Sequence, residues 1–154
     1  MAAGTTRTAP HVLLVEAPYY THIAALLREG AEKALAAGGA TFDIIQVPGS
    51  FEIPGAIGMA AKVSKYDGFV ALGCVIRGET THYDHICEAT AHWLQHLAVE
   101  VGLAIGYGIL TCENEQQALH RANPGGNGRD HGGAAVRACL AMIGVKRGFA
   151  AGGG

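Results

Sequence analysis

Phe69-Val70-Ala71-Leu72-Gly73-Cys74-Val75-Ile76-Arg77-Gly78-Glu79-Thr80-Thr81-His82-Tyr83-Asp84-His85 is the stretch that decides how this chain folds. Its first four residues form a short apolar run, the mark of a buried strand. After it, apolar residues recur at helical spacing at Ile86, Ala89, Trp93, Leu97 and Val101. A strand, a turn rich in glycine, hydroxyls and imidazoles, and then a helix are the expected order. In a parallel α/β sheet, the turn leaving the carboxyl end of a strand is where ligands bind.

Working outward, the same alternation repeats on both sides. Residues 11–16 (HVLLVE) read as a first, central strand. A helix follows with apolar positions Ile23, Leu27, Ala31, Ala34 and Leu35, and Gly38-Gly39 ends it. Residues 42–47 read as a second strand. The rigid turn Pro48-Gly49-Ser50-Phe51-Glu52-Ile53-Pro54 then leads into a helix through Ala56, Met59, Ala60 and Val63. Beyond the central unit come a fourth strand at 104–110, a short helix at 114–122 and the breaker-rich loop Asn123-Pro124-Gly125-Gly126-Asn127-Gly128. A last helix is expected over 131–148. Strands alternating with helices at this spacing imply a parallel sheet with right-handed crossovers and helices on both faces. One domain over 11–148 is expected, with a loose tail at 1–10 and a frayed end at 149–154.

Composition narrows the function classes. With 154 residues, 49% hydrophobic and only 16% charged, the chain has more apolar surface than a small monomer can cover, which points to burial against other subunits. The net charge of −2 and the lack of a Lys/Arg run remove the electrostatic footprint of a nucleic-acid binder. No apolar stretch approaches the ~20 residues of a membrane span. Four cysteines without CxxC spacing read as reduced, buried thiols of a cytoplasmic protein rather than a disulfide framework or a zinc site.

The loops after successive strands, at 18–20, 48–52, 74–82 and 111–114, are expected to converge at one edge of the sheet. Thr81-His82-Tyr83-Asp84 fits a capping box, with Thr81 as cap and Asp84 reaching back. His82 then sits in the first helical turn, where the macrodipole disfavours the imidazolium and suits a general base. The plainer reading is a solvated residue at a helix start. Backbone N–H groups around Glu79 and Thr80 suit a phosphate. Phe51 can lie on a planar ring while Glu52 accepts hydrogen bonds from sugar-like hydroxyls; alternatively Phe51 is core and Glu52 only favours the helix start. Tyr19 and Tyr107 are candidate aromatic walls. Arg121 can hold a phosphate by two donors or merely serve its helix C-terminus. His85, Glu88, His92 and His96 do not match HExxH and read as surface or subunit-contact residues, and Trp93 reads as core. No nucleotide-binding glycine motif is present. A metal-free acid/base site for a planar, hydroxylated ligand and a phosphate is the outcome.

Three segments carry a more specific signal: residues 47–54 (VPGSFEIP), 73–84 (GCVIRGETTHYD) and 108–114 (GILTCEN). Together, in order and with spacing preserved up to Arg121, they resemble the lumazine synthase family of riboflavin biosynthesis. The resemblance implies a flavodoxin-like fold: a three-layer αβα sandwich with a parallel four-stranded sheet. It also implies the condensation of 5-amino-6-(D-ribitylamino)uracil with 3,4-dihydroxy-2-butanone 4-phosphate, without cofactor. On this footing His82 matches the proton-shuttling histidine, and Ser50, Phe51 and Glu52 the segment that takes the ribityl chain and stacks on the pyrimidine. Cys74, Val75 and Ile76 match the backbone that reads the uracil edge. Glu79 and Thr80 match the phosphate turn, Arg121 the phosphate arginine, Tyr19 an aromatic over the ring, and Tyr107 one supplied by a neighbouring subunit. A homopentamer is the implied minimum, association with riboflavin synthase an implied partnership, and neither nucleic acid nor membrane a partner. A flavin- or lumazine-binding module without turnover is the alternative, and intact His82 and Arg121 argue against it. Departure from the family lies in the glycine-rich loop at 123–132, where Arg129 and His131 are the candidates to replace a family lysine and where the longer loop leans toward free pentamers rather than a shell.

Overall fold

A computed structural model describes residues 8–78 and 82–152. Its elements are β1 (His11–Glu16), α1 (Thr21–Ala37), β2 (Thr41–Gln46), α2 (Ile53–Ala61), β3 (Gly68–Ile76), α3 (His82–His96), β4 (Ile105–Cys112), α4 (Glu115–Ala122) and α5 (His131–Gly152). A single 3-10 turn at Ser50–Glu52 precedes α2, and a π-helical turn at Leu97–Val101 closes α3. The four strands are all parallel in the order β2-β1-β3-β4, the expected flavodoxin-like three-layer arrangement.

Side chains alternate across the sheet and split the core in two. Val12, Leu14, Val70, Leu72 and Leu110 face α1, α4 and α5, where Ile23, Leu27, Leu35 and Val136 meet them. Leu13, Val15, Phe69, Ala71 and Ile109 face the other way, toward Ile53 and Ile57 of α2 and Leu94 of α3. The first face is packed backbone to backbone. A Cβ on Gly132 of α5 would stand 2.1 Å from the Leu27 carbonyl oxygen of α1, and one on Gly106 of β4 would stand 2.0 Å from that of Ala135. Asp130 starts α5 with φ +48° and accepts a hydrogen bond from the Gly133 N–H at 3.1 Å.

Four local expectations are corrected. The central strand does not stop at Leu72: β3 runs on to Ile76 because β4 supplies partners as far as Ile76↔Cys112. Cys74, Val75 and Ile76 are therefore strand residues rather than turn residues. In α2 the buried pair is Ile53 and Ile57, while Met59 is 74% exposed and Val63, expected in the helix but lying past its end at Ala61, is 64% exposed. In a helix apolar on all sides, only the i, i+4 pair that meets the sheet is buried. Trp93 is not core in the single chain: it is 52% exposed, and α3 buries Thr90 and Leu94 instead. Finally, α5 continues through Gly152, where a frayed end was expected from 149. No helix among the described residues is long and apolar enough to cross a membrane.

Candidate active site

The site forms where three strands end. β1 pairs with β3 only as far as Glu16↔Leu72, whereas β3 goes on beside β4 to Ile76. Among the described residues, 73–76 of β3 thus keep one edge without a strand neighbour, and backbone polar groups on such an edge are available to a ligand. A cavity of about 820 Å³ opens there. Ala17, Tyr19 and Tyr20 line it from the end of β1, Gly49 to Glu52 from the end of β2, Cys74 to Ile76 from β3, and His82, His85, Ile86 and Ala89 from α3.

Each wall has a local cause. Pro48 and Pro54 pin the chain around the 3-10 turn, and Ser50 is buried at 6% exposure against Gly73, where a Cβ would come within 2.6 Å of its Oγ. Phe51 is 56% exposed, so it is a cavity face and not core. Tyr19, 76% exposed, is braced edge-on by Tyr20 at 5.0 Å between ring centroids. Burial, then the neighbouring Cys112, push the Cys74 thiol up to about 12, which leaves it a neutral wall. Beneath, the buried Glu16 carboxylate accepts hydrogen bonds from Arg28 and, at 2.8 Å, from Gln46, and so ties the ends of β1 and β2 to α1. His82 opens α3 at the cavity.

Eight of the twelve expected site residues meet in this cavity: Tyr19, Ser50, Phe51, Glu52, Cys74, Val75, Ile76 and His82. Glu79 and Thr80, with the expected cap Thr81, lie outside the described residues. Asp84 reaches Arg77, at 3.4 Å. Tyr107 and Arg121 are not among the cavity walls. Tyr107 stands mid-strand opposite Ala71 and borders a separate hollow with Ala91, Leu94, Gln95, Ala98 and Ile105, so it does not share a wall with Tyr19. Arg121 donates to the Thr111 carbonyl at 3.3 Å and to Cys112 Sγ at 3.5 Å. The loop at 111–114 is accordingly set apart from the other three. Burial, and then the guanidinium groups of Arg121 and Arg129, hold the His131 imidazole below its ordinary value, with the Asp130 carboxylate acting the other way.

His85 is the residue that pattern reading set aside and the cavity takes in. Its spacing of three from His82, one helical face, was the available signal. Among the described residues, no three His, Cys, Asp or Glu side chains are grouped as a metal ion requires.

Comparison with known proteins places the chain in a family. The family model described as 6,7-dimethyl-8-ribityllumazine synthase matches residues 9–147. A protein of that name from Agrobacterium fabrum (strain C58 / ATCC 33970) is 50% identical over 143 residues, covering 90% of this chain and 95% of its own length. Another, 6,7-dimethyl-8-ribityllumazine synthase 1 of Rhizobium meliloti (strain 1021), is 50% identical over 142 residues, 89% of this chain and 92% of its own. One from Sphingopyxis alaskensis is 46% identical over 142 residues, 92% of this chain and 99% of its own.

Proposed function

The chain belongs to the 6,7-dimethyl-8-ribityllumazine synthase family, and on that premise we propose how its residues carry out the family's reaction. The enzyme is a transferase of riboflavin biosynthesis. It condenses 5-amino-6-(D-ribitylamino)uracil with 3,4-dihydroxy-2-butanone 4-phosphate to 6,7-dimethyl-8-ribityllumazine, phosphate and water. The single observation that carries the assignment of roles is the meeting of Ser50-Phe51-Glu52, the free edge of 74–76 and His82 around one cavity.

In this reading the uracil edge hydrogen-bonds to the unpaired backbone of Cys74, Val75 and Ile76, and its ring lies against Phe51 with Tyr19 above. Ser50 and Glu52 take the ribityl hydroxyls. The 5-amino group adds to the ketone and water leaves as the imine forms. Loss of phosphate, attack of the ribitylamino nitrogen on the new carbonyl and a second loss of water then close the ring. His82, at the cavity, moves protons between these steps. Glu79 and Thr80 hold the phosphate, and Arg121 gives it a charge-assisted partner.

Tyr107 and Arg121 border no part of the single-chain cavity, so they are read as contributions to a neighbour's site, within a homopentamer whose contacts cover Trp93, Met59 and Val63. Arg129 or His131, near Arg121, takes the place of the family's lysine. The reaction runs in the cytoplasm, in keeping with the four free cysteines, and its product passes to riboflavin synthase as a partner enzyme. Mixing the two substrates with the purified protein and following lumazine absorbance tests the assignment. A rate no higher than the uncatalysed condensation overturns it.

A further inference from the structure

Arg77 lies at the end of β3 and outside the cavity walls, yet it holds three elements at once. Its backbone N–H donates to the Cys112 carbonyl at 2.9 Å. Its Nε meets both carboxylate oxygens of Glu113, at 2.9 and 3.2 Å, just past β4. Nη2 lies 3.4 Å from Asp84 Oδ1, and the guanidinium covers the Tyr83 ring at 4.4 Å from its centroid. Tyr83 and Asp84 are the two residues after His82 in the first turn of α3.

We propose that Arg77 is a positioning residue of the reaction: its clamp on Glu113, Tyr83 and Asp84 sets the place and angle of the first turn of α3, and with it the His82 imidazole at the cavity. This rests on the reading that His82 moves the protons. Only a guanidinium can hold a carboxylate by one edge while its flat face covers an aromatic ring. Lysine keeps the charge but loses the fork. Because the group is 42% exposed, its ion pairs add little to global stability. A clamp there is therefore a matter of geometry, and misplacing a catalytic group by about 1 Å can cost as much as ~10²-fold in rate.

A double-mutant cycle on the full chain tests this, using Arg77→Ala, His82→Ala and the pair, with kcat and both KM values measured at saturating partner substrate. The expected result for Arg77→Ala is a fall in kcat of about tenfold with both KM values changed less than about twofold, a melting temperature near that of the parent, and partial recovery in Arg77→Lys. In the His82→Ala background the same substitution should cost nothing further, because it acts through the missing imidazole. Glu113→Gln, which cuts the clamp without an apolar gap, should show a smaller fall and the same non-additivity; it carries the test where Arg77→Ala does not fold. A rise confined to the KM of the phosphate substrate overturns the proposal and makes Arg77 a phosphate ligand. An equal loss of kcat with and without His82 overturns it too. Should His82→Ala leave kcat unaltered, the proton-transfer reading itself fails and takes this proposal with it.

Discussion

On the α1, α4 and α5 side of the sheet, Ile23, Leu35 and Val136 have no exposed surface, and helix meets helix at glycine. On the α2 and α3 side, Phe51, Met59, Val63 and Trp93 are 52–74% exposed, and a second hollow of about 260 Å³ opens between the two helices. The difference is not complete, since α5 also leaves Met142, Val145 and Phe149 in solvent along its second half. It teaches a division of labour all the same. Both faces bury a core, but only one is packed helix to helix at its glycines. The other carries the cavity and keeps apolar surface that, in the reading proposed above, a second copy covers.

The comparison can be broken at either face. The largest effect is expected from His82→Ala on the open face: turnover falls about 10²-fold, as loss of a positioned proton carrier does, while binding of a ribityl ligand and the melting temperature stay near those of the parent. Unchanged turnover removes His82 from the mechanism. Trp93→Ala should follow. An exposed tryptophan contributes little to a single chain, but as an interface anchor its loss weakens assembly by about 2 kcal/mol or more, which light scattering against concentration reads out. A particle size that does not move with this substitution means that the open face is not the interface.

On the closed face the signature reverses. Gly132→Ala forces a Cβ onto the Leu27 carbonyl and should lower stability by about 1–3 kcal/mol, the usual cost of overpacking, with turnover of the folded fraction intact. Arg121→Ala should act at neither face's packing but on one substrate. Removing a single charged hydrogen-bond donor of about 1.5 kcal/mol raises the KM for the butanone phosphate on the order of tenfold and leaves that of the pyrimidine alone. An unaltered KM for the phosphate substrate refutes its role.

The effect that is smallest near neutrality is one of pH. Burial pushes Cys139 on the closed face up to about 12, above its unfolded value of 9.0. A neutral thiol is thus favoured by the fold, so its contribution is complete below pH 9.0 and is lost as the pH rises toward about 12. Cys139→Ala should flatten the pH dependence of stability across that alkaline window, with a pH-independent loss of about 1 kcal/mol for the buried sulfur and its contact with the Ala104 carbonyl.

Much of this was legible in the linear pattern because the signals are local. The apolar stripe Ile23, Leu27, Ala31, Ala34, Leu35 marks α1 and all five residues are buried. Asn114, expected at the start of the short helix, caps it by accepting from the Gln117 N–H at 2.9 Å. The motif Ser50-Phe51-Glu52 lines the cavity as its chemistry suggested. Trp93 misled for a definite reason: helical spacing marks a residue as facing something apolar, and cannot say whether that something is in the same chain. His85 was passed over because a histidine on a polar face has no local mark of which neighbour it will meet.

The sequence by itself determined the number and order of strands and helices, the parallel sheet, and which segments carry polar chemistry, since all of these follow from periodicity and turn residues along the chain. Only the tertiary structure decided where β3 ends, because its last four residues are held by β4 and released by β1, and pairing of that kind is between residues more than thirty apart. That same overhang creates the free edge at 73–76, and the fold around it brings His85 in with His82 while Tyr107 and Arg121, the residues read as a neighbour's contribution, stay out of this cavity.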